Sequence, residues 1–404
     1  ICFICRRIRP DIKPPKDIKL EPVECFLKKE FDRSLLRSIT EIGRGSSGVV
    51  YKGLAFGSLK GIAGFYPVAV KSIKGNATEE RNKLFLDEIK LMIEIGSHTN
   101  ILTLLGCCTI EKPYLLLTEF MKYGDLLHFL WKSRESKAAE EDSIYKVTEL
   151  PKLQIARQIA RGMEYISMIR YYHGDLAARN VLIGENLQIK ISDFGLAADI
   201  YERGYKRLKP DDKRPIKWVS LETNTTGKCS IEADVWSFGI VLYEIFTLGD
   251  APYQGIENSE LIPKLKQGYR LDQPEDCPLE VYDIMRQCWL EYPILRPSFT
   301  KLTRLLEDLL AKHSDYMDLE ESAISMNGVK SEPVQSNEMS NLSGEPDELN
   351  LWLHVTGEIP ESARTLNFVP NAEDGTFSDD SVQCVEMKDL KFDRFPDSDI
   401  VTLA

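Results

Sequence analysis

His173-Gly174-Asp175-Leu176-Ala177-Ala178-Arg179-Asn180 is followed, thirteen residues after its last member, by Asp193-Phe194-Gly195. Asp175 and Asn180 stand five apart in a segment too polar and irregular for a strand. Residues 181–183 and 189–191 read as short strands on either side of a Gly184-Glu185-Asn186 turn. This pattern gathers three acidic or amide side chains. Asn180 and Asp193 carry hard oxygen ligands of the kind magnesium prefers, an ion that keeps waters and takes further ligands from phosphate. Asp175 is left as an acceptor for a hydroxyl proton.

Such a centre needs elements to position it, and the upstream half of the chain supplies them. In Ile42-Gly43-Arg44-Gly45-Ser46-Ser47-Gly48-Val49-Val50 the glycines form a turn between two strands. A dinucleotide-binding fold would open a helix at the last glycine, whereas β-branched Val49 and Val50 continue as strand. Backbone without side chains can close over phosphates, with Val50 covering a base. Pro67-Val68-Ala69-Val70-Lys71-Ser72-Ile73 alternates so that Ala69, Lys71 and Ile73 share one strand face. On the helix that follows, Leu84, Phe85, Leu91, Met92 and Ile95 place Glu88 on the apolar stripe. A lone charge there is costly to desolvate, so the sequence predicts a Lys71–Glu88 pair.

Residues 100–106 and 114–119 read as buried strands, and Thr118-Glu119-Phe120-Met121 leads into a helix beginning at Asp125. Residues 133–148 are charged and lack a core pattern, which predicts a short inserted loop. A helix carrying Ile155, Ile159, Met163 and Ile166 then returns the chain to the opening motif. Residues 231–248 are apolar nearly all round but contain Glu232, Asp234 and Glu244, the mark of a buried helix rather than a membrane span.

The whole chain has 404 residues, 43% of them hydrophobic, enough for a substantial core. Its formal charge of −12 is uneven: residues 315–404 hold 20 acidic against 5 basic residues, a balance of −15, leaving +3 elsewhere. A body so nearly neutral offers no nucleic-acid-binding surface. Nine cysteines without paired spacing, and five histidines, build neither a disulfide framework nor a zinc site. A reducing compartment follows, and the sequons at Asn76, Asn224 and Asn341 are then accidental. Ile1-Cys2-Phe3-Ile4-Cys5 before Arg6-Arg7-Ile8-Arg9 has the pattern of the cytoplasmic edge of a membrane-spanning helix, though five residues span nothing and a ragged domain edge is the alternative. Residues 10–34, with Pro10, Pro14, Pro15 and Pro22, read as an extended linker, and the folded domain is expected from Leu35. The Ser-, Asn-, Asp- and Glu-rich tail predicts disorder from about residue 320.

At the opening motifs the chain resembles a protein kinase, whose catalytic loop reads His-Arg-Asp-Leu and whose metal-binding motif is Asp-Phe-Gly. Ala177 and Arg179 after the aspartate, and Pro215-Ile216-Lys217-Trp218, resemble the tyrosine-specific branch. Asp234-Val235-Trp236-Ser237-Phe238-Gly239, Cys288-Trp289 and Arg296-Pro297 match later helices, with Arg296 expected to pair with Glu222. Leu104-Leu105-Gly106-Cys107-Cys108-Thr109, the short insert and Asp315-Tyr316-Met317-Asp318-Leu319 resemble the fibroblast growth factor receptor and related split-kinase receptor tyrosine kinases.

The resemblance implies a two-lobed α+β fold over residues 35–312, with a small β-rich N-lobe bearing one helix and a larger helical C-lobe. It implies a juxtamembrane segment at 1–34 and an acidic tail at 313–404. It implies ATP and magnesium, with Gly43, Gly45 and Gly48 at the phosphates, and Ile42, Val50, Ala69 and Leu182 completing the nucleotide site. Backbone groups of Glu119 and Met121 would bind adenine, with Thr118 behind. Lys71, fixed by Glu88, would hold the α and β phosphates, Asn180 and Asp193 the metal, and Asp175 with Arg179 the tyrosine. Implied partners are proteins carrying tyrosine, phosphotyrosine-binding adaptors at Tyr316, and a second copy through the full-length receptor at the cell membrane.

Three departures stand against the pattern: Gly174 for arginine, Ala198 for the arginine after Asp-Phe-Gly-Leu-Ala, and Ser220-Leu221-Glu222 for Ala-Pro-Glu. None removes a group that would touch ATP, metal or the transferred phosphoryl; they lend some support to the alternative of a pseudokinase scaffold, while a binding module fed by the acidic tail has charge alone behind it. Alignment with the receptor family puts Tyr205 and Lys206 at its paired loop tyrosines. An acceptor and its arginine are thus lost together, which predicts an activation loop held by contacts other than phosphate.

Overall fold

The structure, a computed structural model, describes residues 26–45, 48–59, 62–73, 77–200, 204–208 and 214–327, excepting the side chains of Ser38, Ser58, Leu59, Ile62 and 314–327. Of the described residues, those up to Met317 belong to one compact unit and Asp318 onward to another, of which only helical backbone to Asn327 is described. The Pro-rich start, Tyr201 and most of the acidic tail lie outside the described residues.

The N-terminal half builds one antiparallel sheet in the order β1 (Leu36–Gly45), β2 (Gly48–Leu59), β3 (Ile62–Ser72), β5 (Leu115–Glu119), β4 (Leu104–Cys108). β2 and β3 pair without interruption from Val49–Ser72 to Leu59–Ile62. Alternation along β3 buries Val68 and Val70 with Leu115 and Leu117 in one cluster, leaving Ala69 and Lys71 for the opposite face. β1 carries two register shifts, between Arg37 and Thr40 and between Glu41 and Gly43, so its glycine-bearing end departs from regular pairing. Asn100 to Thr103, expected as strand, precede β4: the Asn100 amide donates to the Ile189 carbonyl at 3.1 Å, work for a turn residue rather than a pleat.

A single long helix, α1 (Glu79–Ile95), crosses this sheet, capped by the Thr78 hydroxyl accepting from the Arg81 N–H at 3.4 Å. Its buried face is Phe85, Glu88, Ile89, Met92 and Ile95, while Leu84 is 66% exposed. The stripe is thus rotated toward Ile89 relative to the sequence reading, and Glu88 sits at its rim, where a charge can reach a partner.

The C-terminal half is helical, with α2 (Leu126–Ser133), α3 (Ser136–Glu141), α4 (Glu149–Met168), α5 (Leu221–Thr226), α6 (Ile231–Phe246), α7 (Asn258–Lys266), α8 (Leu279–Cys288) and α9 (Phe299–Asn327). α6 is buried nearly all round, from Val235 and Trp236 to Ile245 and Phe246, as an element central to its lobe must be. Among the described residues no helix is long and apolar enough to cross a membrane. Three short strand pairs accompany the helices: β6 (Tyr171–Tyr172) with β9 (Ala198–Asp199), β7 (Val181–Ile183) with β8 (Ile189–Ile191), and β10 (Lys206–Arg207) with β11 (Lys228–Cys229).

Two expectations change here. Residues 133–148 are not a structureless insert: α3 and a 3-10 turn at Ser143–Tyr145 bury Ala138 and Tyr145, whose ring stacks on Phe129 at 4.9 Å. Two apolar contacts suffice to dock so short a segment, and its charged flanks hide them from any periodicity. The chain is also anchored upstream of Leu35. Phe31 N–H donates to the Cys107 carbonyl at 2.7 Å, and Cys107 N–H to that of Lys29 at 2.8 Å. The Glu30 carboxylate accepts from the Thr109 N–H and hydroxyl, at 2.8 and 2.7 Å. At the other end α9 runs past residue 312, so the expected boundary falls within a helix whose backbone carries Tyr316.

Candidate active site

Between the sheet and the helices, Lys71 Nζ donates to both oxygens of Glu88, at 2.7 and 2.9 Å. The side chains are 15% and 9% exposed, so the contact is largely dry. Burial pushes the Glu88 carboxyl up, and the Lys71 ammonium opposes that shift. Strand register assembles the neighbours: Val50 lies opposite Lys71, Lys52 opposite Ala69, and Ala69 opposite buried Thr118. At the hairpin end Gly45 pairs with Gly48, where a Cβ would stand 2.5 Å from the Ser72 carbonyl oxygen. Only glycine permits that approach. Ile42, Gly43 and Gly45 are exposed on β1.

The segment between lobes is fixed by a side chain whose part was read only through its backbone. Glu119 pairs with buried Lys190 at 2.8 Å and accepts from Thr103 N–H at 2.8 Å, joining β5 to β8. Met121 is buried, and the methyl of its side chain packs against Gly184. Leu182 bridges to Asp125, and main-chain bonds link Tyr123 to Ile183 and Ile183 to Gly124. Ile42 thus lies on β1, Val50 on β2, Ala69 on β3, Thr118 and Glu119 on β5, Met121 just beyond it, and Leu182 on β7.

The catalytic-loop motif forms a tight network. Asp175 accepts from Arg179 at 2.5 Å and from the Asn180 amide at 2.8 Å, and its carbonyl takes a second bond from the same amide at 2.7 Å. Both Asn180 side-chain bonds use the nitrogen, leaving Oδ1 as a ligand atom. Asp193, at φ +59°, is close enough to raise the Glu88 carboxyl and, with Asp175, to act on His173. Among the described residues no group of three or more His, Cys, Asp or Glu could hold a metal. One amide and one carboxylate fit magnesium that takes its other ligands from phosphate and water.

His173 is wholly buried, which pushes its pKa down and keeps the ring neutral. Nε2 faces the Ser192 carbonyl at 3.0 Å and must donate, while Nδ1 accepts from Asp175 N–H at 3.2 Å, so the two contacts fix the tautomer. Phe194 packs edge-on against this ring, 5.2 Å between centroids.

Two residues that sequence reasoning noted without giving them work hold this loop from below. Asp234 accepts from His173 N–H at 2.6 Å and Gly174 N–H at 2.9 Å. Glu244 accepts from Ala178 N–H at 2.9 Å. Burial raises both carboxyls to about 7, with the backbone donors opposing it. The signal was carboxylates inside an otherwise apolar helix. Arg179 also lies 4.8 Å over the Trp218 ring, which joins the Pro215–Trp218 platform to Asp175.

Arg296 meets Glu222 with both terminal nitrogens, at 2.7 and 2.8 Å, as expected. The departure next to Glu222 is absorbed: Ser220 caps α5, its hydroxyl accepting from Thr223 N–H at 3.3 Å, and Leu221 is buried.

Residues 36–306 match the model of the protein tyrosine and serine/threonine kinase family. The chain is 37% identical over 318 residues to a fibroblast growth factor receptor of Hydra vulgaris, covering 78% of this chain and 37% of that protein. It is 35% identical over 356 residues to the tyrosine-protein kinase receptor torso of Bombyx mori, covering 77% and 43%. It is 40% identical over 269 residues to the tyrosine-protein kinase transmembrane receptor Ror of Drosophila melanogaster, covering 67% and 38%. The chain therefore spans less than half the length of these relatives. The resemblance to receptor tyrosine kinases is borne out, as is the two-lobed α+β kinase fold, and the chain belongs to the protein tyrosine and serine/threonine kinase family.

Proposed function

We propose that this chain is the catalytic portion of a receptor-type protein-tyrosine kinase, transferring the γ-phosphoryl of ATP to tyrosine in itself and in other proteins. The observation that carries the reading is the two-pronged Lys71–Glu88 contact, which fixes a largely dry lysine on β3 against α1. Arg179, shared between Asp175 and the Trp218 ring, favours the long phenol side chain as acceptor.

In this reading Gly43, Gly45 and Gly48 let the hairpin backbone approach the phosphates, and Ile42, Val50, Ala69 and Leu182 enclose the base. Backbone groups of Glu119 and Met121 bind adenine, with Thr118 behind it. Lys71 holds the α and β phosphates. Asn180 and Asp193 hold magnesium, which neutralises charge on the phosphates when bound. Asp175 Oδ accepts the proton of the substrate hydroxyl as its oxygen attacks the γ-phosphorus and the bond from that phosphorus to the β–γ bridging oxygen breaks, releasing ADP, and Arg179 keeps the Asp175 carboxylate oriented. Phosphorylated Tyr316 recruits phosphotyrosine-binding adaptors, dimerisation through the full-length receptor brings two kinase domains together, and the portion acts at the cytoplasmic side of the cell membrane.

The test measures phosphoryl transfer from ATP and magnesium to a tyrosine peptide separately from nucleotide binding. Turnover that vanishes in Asp175→Asn is expected. Nucleotide binding with no turnover in the native chain would establish the scaffold instead.

A further inference from the structure

Where the catalytic loop meets the activation segment, a small apolar cluster occupies ground that the family pattern gives to charge. Tyr172, Ile200 and Cys229 are 1%, 4% and 4% exposed, and Ala198, Leu208 and Ile231 pack against them. These residues come from β6, from β9 and just beyond it, from the stretch after β10, from β11, and from the first residue of α6. Main-chain contacts pin each piece. Tyr172 pairs with Ala198, and Ile200 N–H donates to the Arg170 carbonyl at 3.0 Å. Lys206 pairs with Cys229, and Leu208 N–H donates to the Gly227 carbonyl at 2.8 Å. One cluster thus ties two separated stretches of the activation segment to the strand entering the catalytic loop and to the base of α6.

Of the three departures, Ala198 is in this cluster and Gly174 lies against it. Gly174 has φ +81°, and a Cβ there would stand 2.7 Å from Tyr172 Cε2 and 3.3 Å from the Leu196 carbonyl oxygen. The Tyr172 ring is enclosed and cannot yield cheaply, so a side chain at 174 and the ring in this place exclude each other. Ala198 lies directly opposite Tyr172, where an arginine would bring a charge against the cluster. Lys206 is exposed, and the neighbouring Tyr205 ring lies 5.1 Å from the Lys228 ammonium. Loss of the arginines and gain of the buried ring are therefore one structural change.

We propose that this apolar cluster, in place of a phosphate–arginine contact, holds the activation segment in its substrate-accepting arrangement, with Tyr172 as the positioning residue. The inference rests on the kinase reading above. Order of this kind comes from desolvated apolar surface and does not wait for a modification that adds charge. Gly174 and Lys206 are then not lesions but consequences of a different fastening.

The test uses the full chain, phosphatase-treated, and the Tyr201→Phe/Tyr205→Phe variant. For a tyrosine peptide, kcat/KM of both should stay within about fivefold of phosphorylated wild type, whereas a loss of ~100-fold overturns the proposal. Tyr172→Ala should raise peptide KM by about tenfold with ATP KM within about twofold, and Tyr172→Phe should restore it. A second readout needs no catalysis: tryptic cleavage after exposed Lys206 and Arg207 should be slow in unphosphorylated wild type and about tenfold faster in Tyr172→Ala. Leu208→Ala, at the edge of the cluster, should act in the same direction and serves if Tyr172→Ala does not fold. Unchanged cleavage in the folded variants overturns the cluster. A chain inactive on every tyrosine peptide would sink the kinase reading, and cleavage would still decide this one.

Discussion

The catalytic loop and the activation segment are neighbours fastened by opposite means. The loop hangs on two buried carboxylates of α6, Asp234 and Glu244, which accept the N–H groups of His173, Gly174 and Ala178. The segment rests on Tyr172, Ile200 and Cys229 with their apolar neighbours. A carboxylate fixes the direction of an N–H to within a hydrogen bond's tolerance, which a proton acceptor such as Asp175 requires. Apolar packing has no such direction, but it needs no partner charge. The contrast explains why two departures from the family pattern fall in the segment's fastening, while Asp175, Arg179 and Asn180 keep theirs.

The sharpest way to break the comparison is through the charge-directed side. Asp175→Asn and Lys71→Met should each lower kcat for peptide phosphorylation by about 10²–10⁴-fold with the melting temperature within a few degrees of wild type. Residual phosphotyrosine at the wild-type rate on purified Asp175→Asn protein would remove Asp175 as the base.

Next in size are two truncations of like magnitude and unlike cause. Glu222→Ala strands the Arg296 guanidinium, whose side chain is fully buried, and should cost about 3–5 kcal/mol in denaturant unfolding. Phe85→Ala opens a cavity under α1 and should cost about 3–5 kcal/mol as well. If Glu222→Ala proves nearly neutral, charge is not what joins α5 to the helices below it.

A smaller effect separates the two fastenings by pH. Asp234 and Glu244 are raised to about 7 in the folded chain, so there the folded state binds more protons than the unfolded one. Stability from these groups is full below the ordinary carboxylate range and is lost as pH rises through about 7. Calorimetry from pH 5 to 8 should show wild type losing melting temperature relative to Asp234→Asn. Tyr172→Phe, which keeps both carboxyls, should run parallel to wild type. A wild-type curve that gains on Asp234→Asn with rising pH contradicts the assignment.

The smallest expected effect concerns Leu84, which is 66% exposed: Leu84→Ala should change stability by less than about 0.5 kcal/mol. A loss comparable to that of Phe85→Ala would restore Leu84 to the buried stripe.

Local rules made much of this protein legible before any coordinates. Glycines followed by β-branched residues can only be a strand hairpin, a lysine between small neighbours needs a carboxylate, and both features are present at Gly45–Gly48 and Lys71–Glu88. The motifs around Asp175 and Asp193 are likewise short-range, and so was the warning that Gly174 and Lys206 had changed together. Other features depend on what arrives from far along the chain. Tyr145 docks because Phe129 is there to receive it, and Glu30 is ordered because Thr109 offers it two donors. The rotation of α1 that exposes Leu84 is set by the surface it packs on. Sequence determined the chemistry-bearing residues and the strands and helices carrying them, because those follow from side-chain type and periodicity. Only the tertiary structure decided what fastens them: that carboxylates of α6 hold the catalytic loop, and that Tyr172 fills the space beside Gly174, because long-range contact leaves no mark on either partner's local sequence.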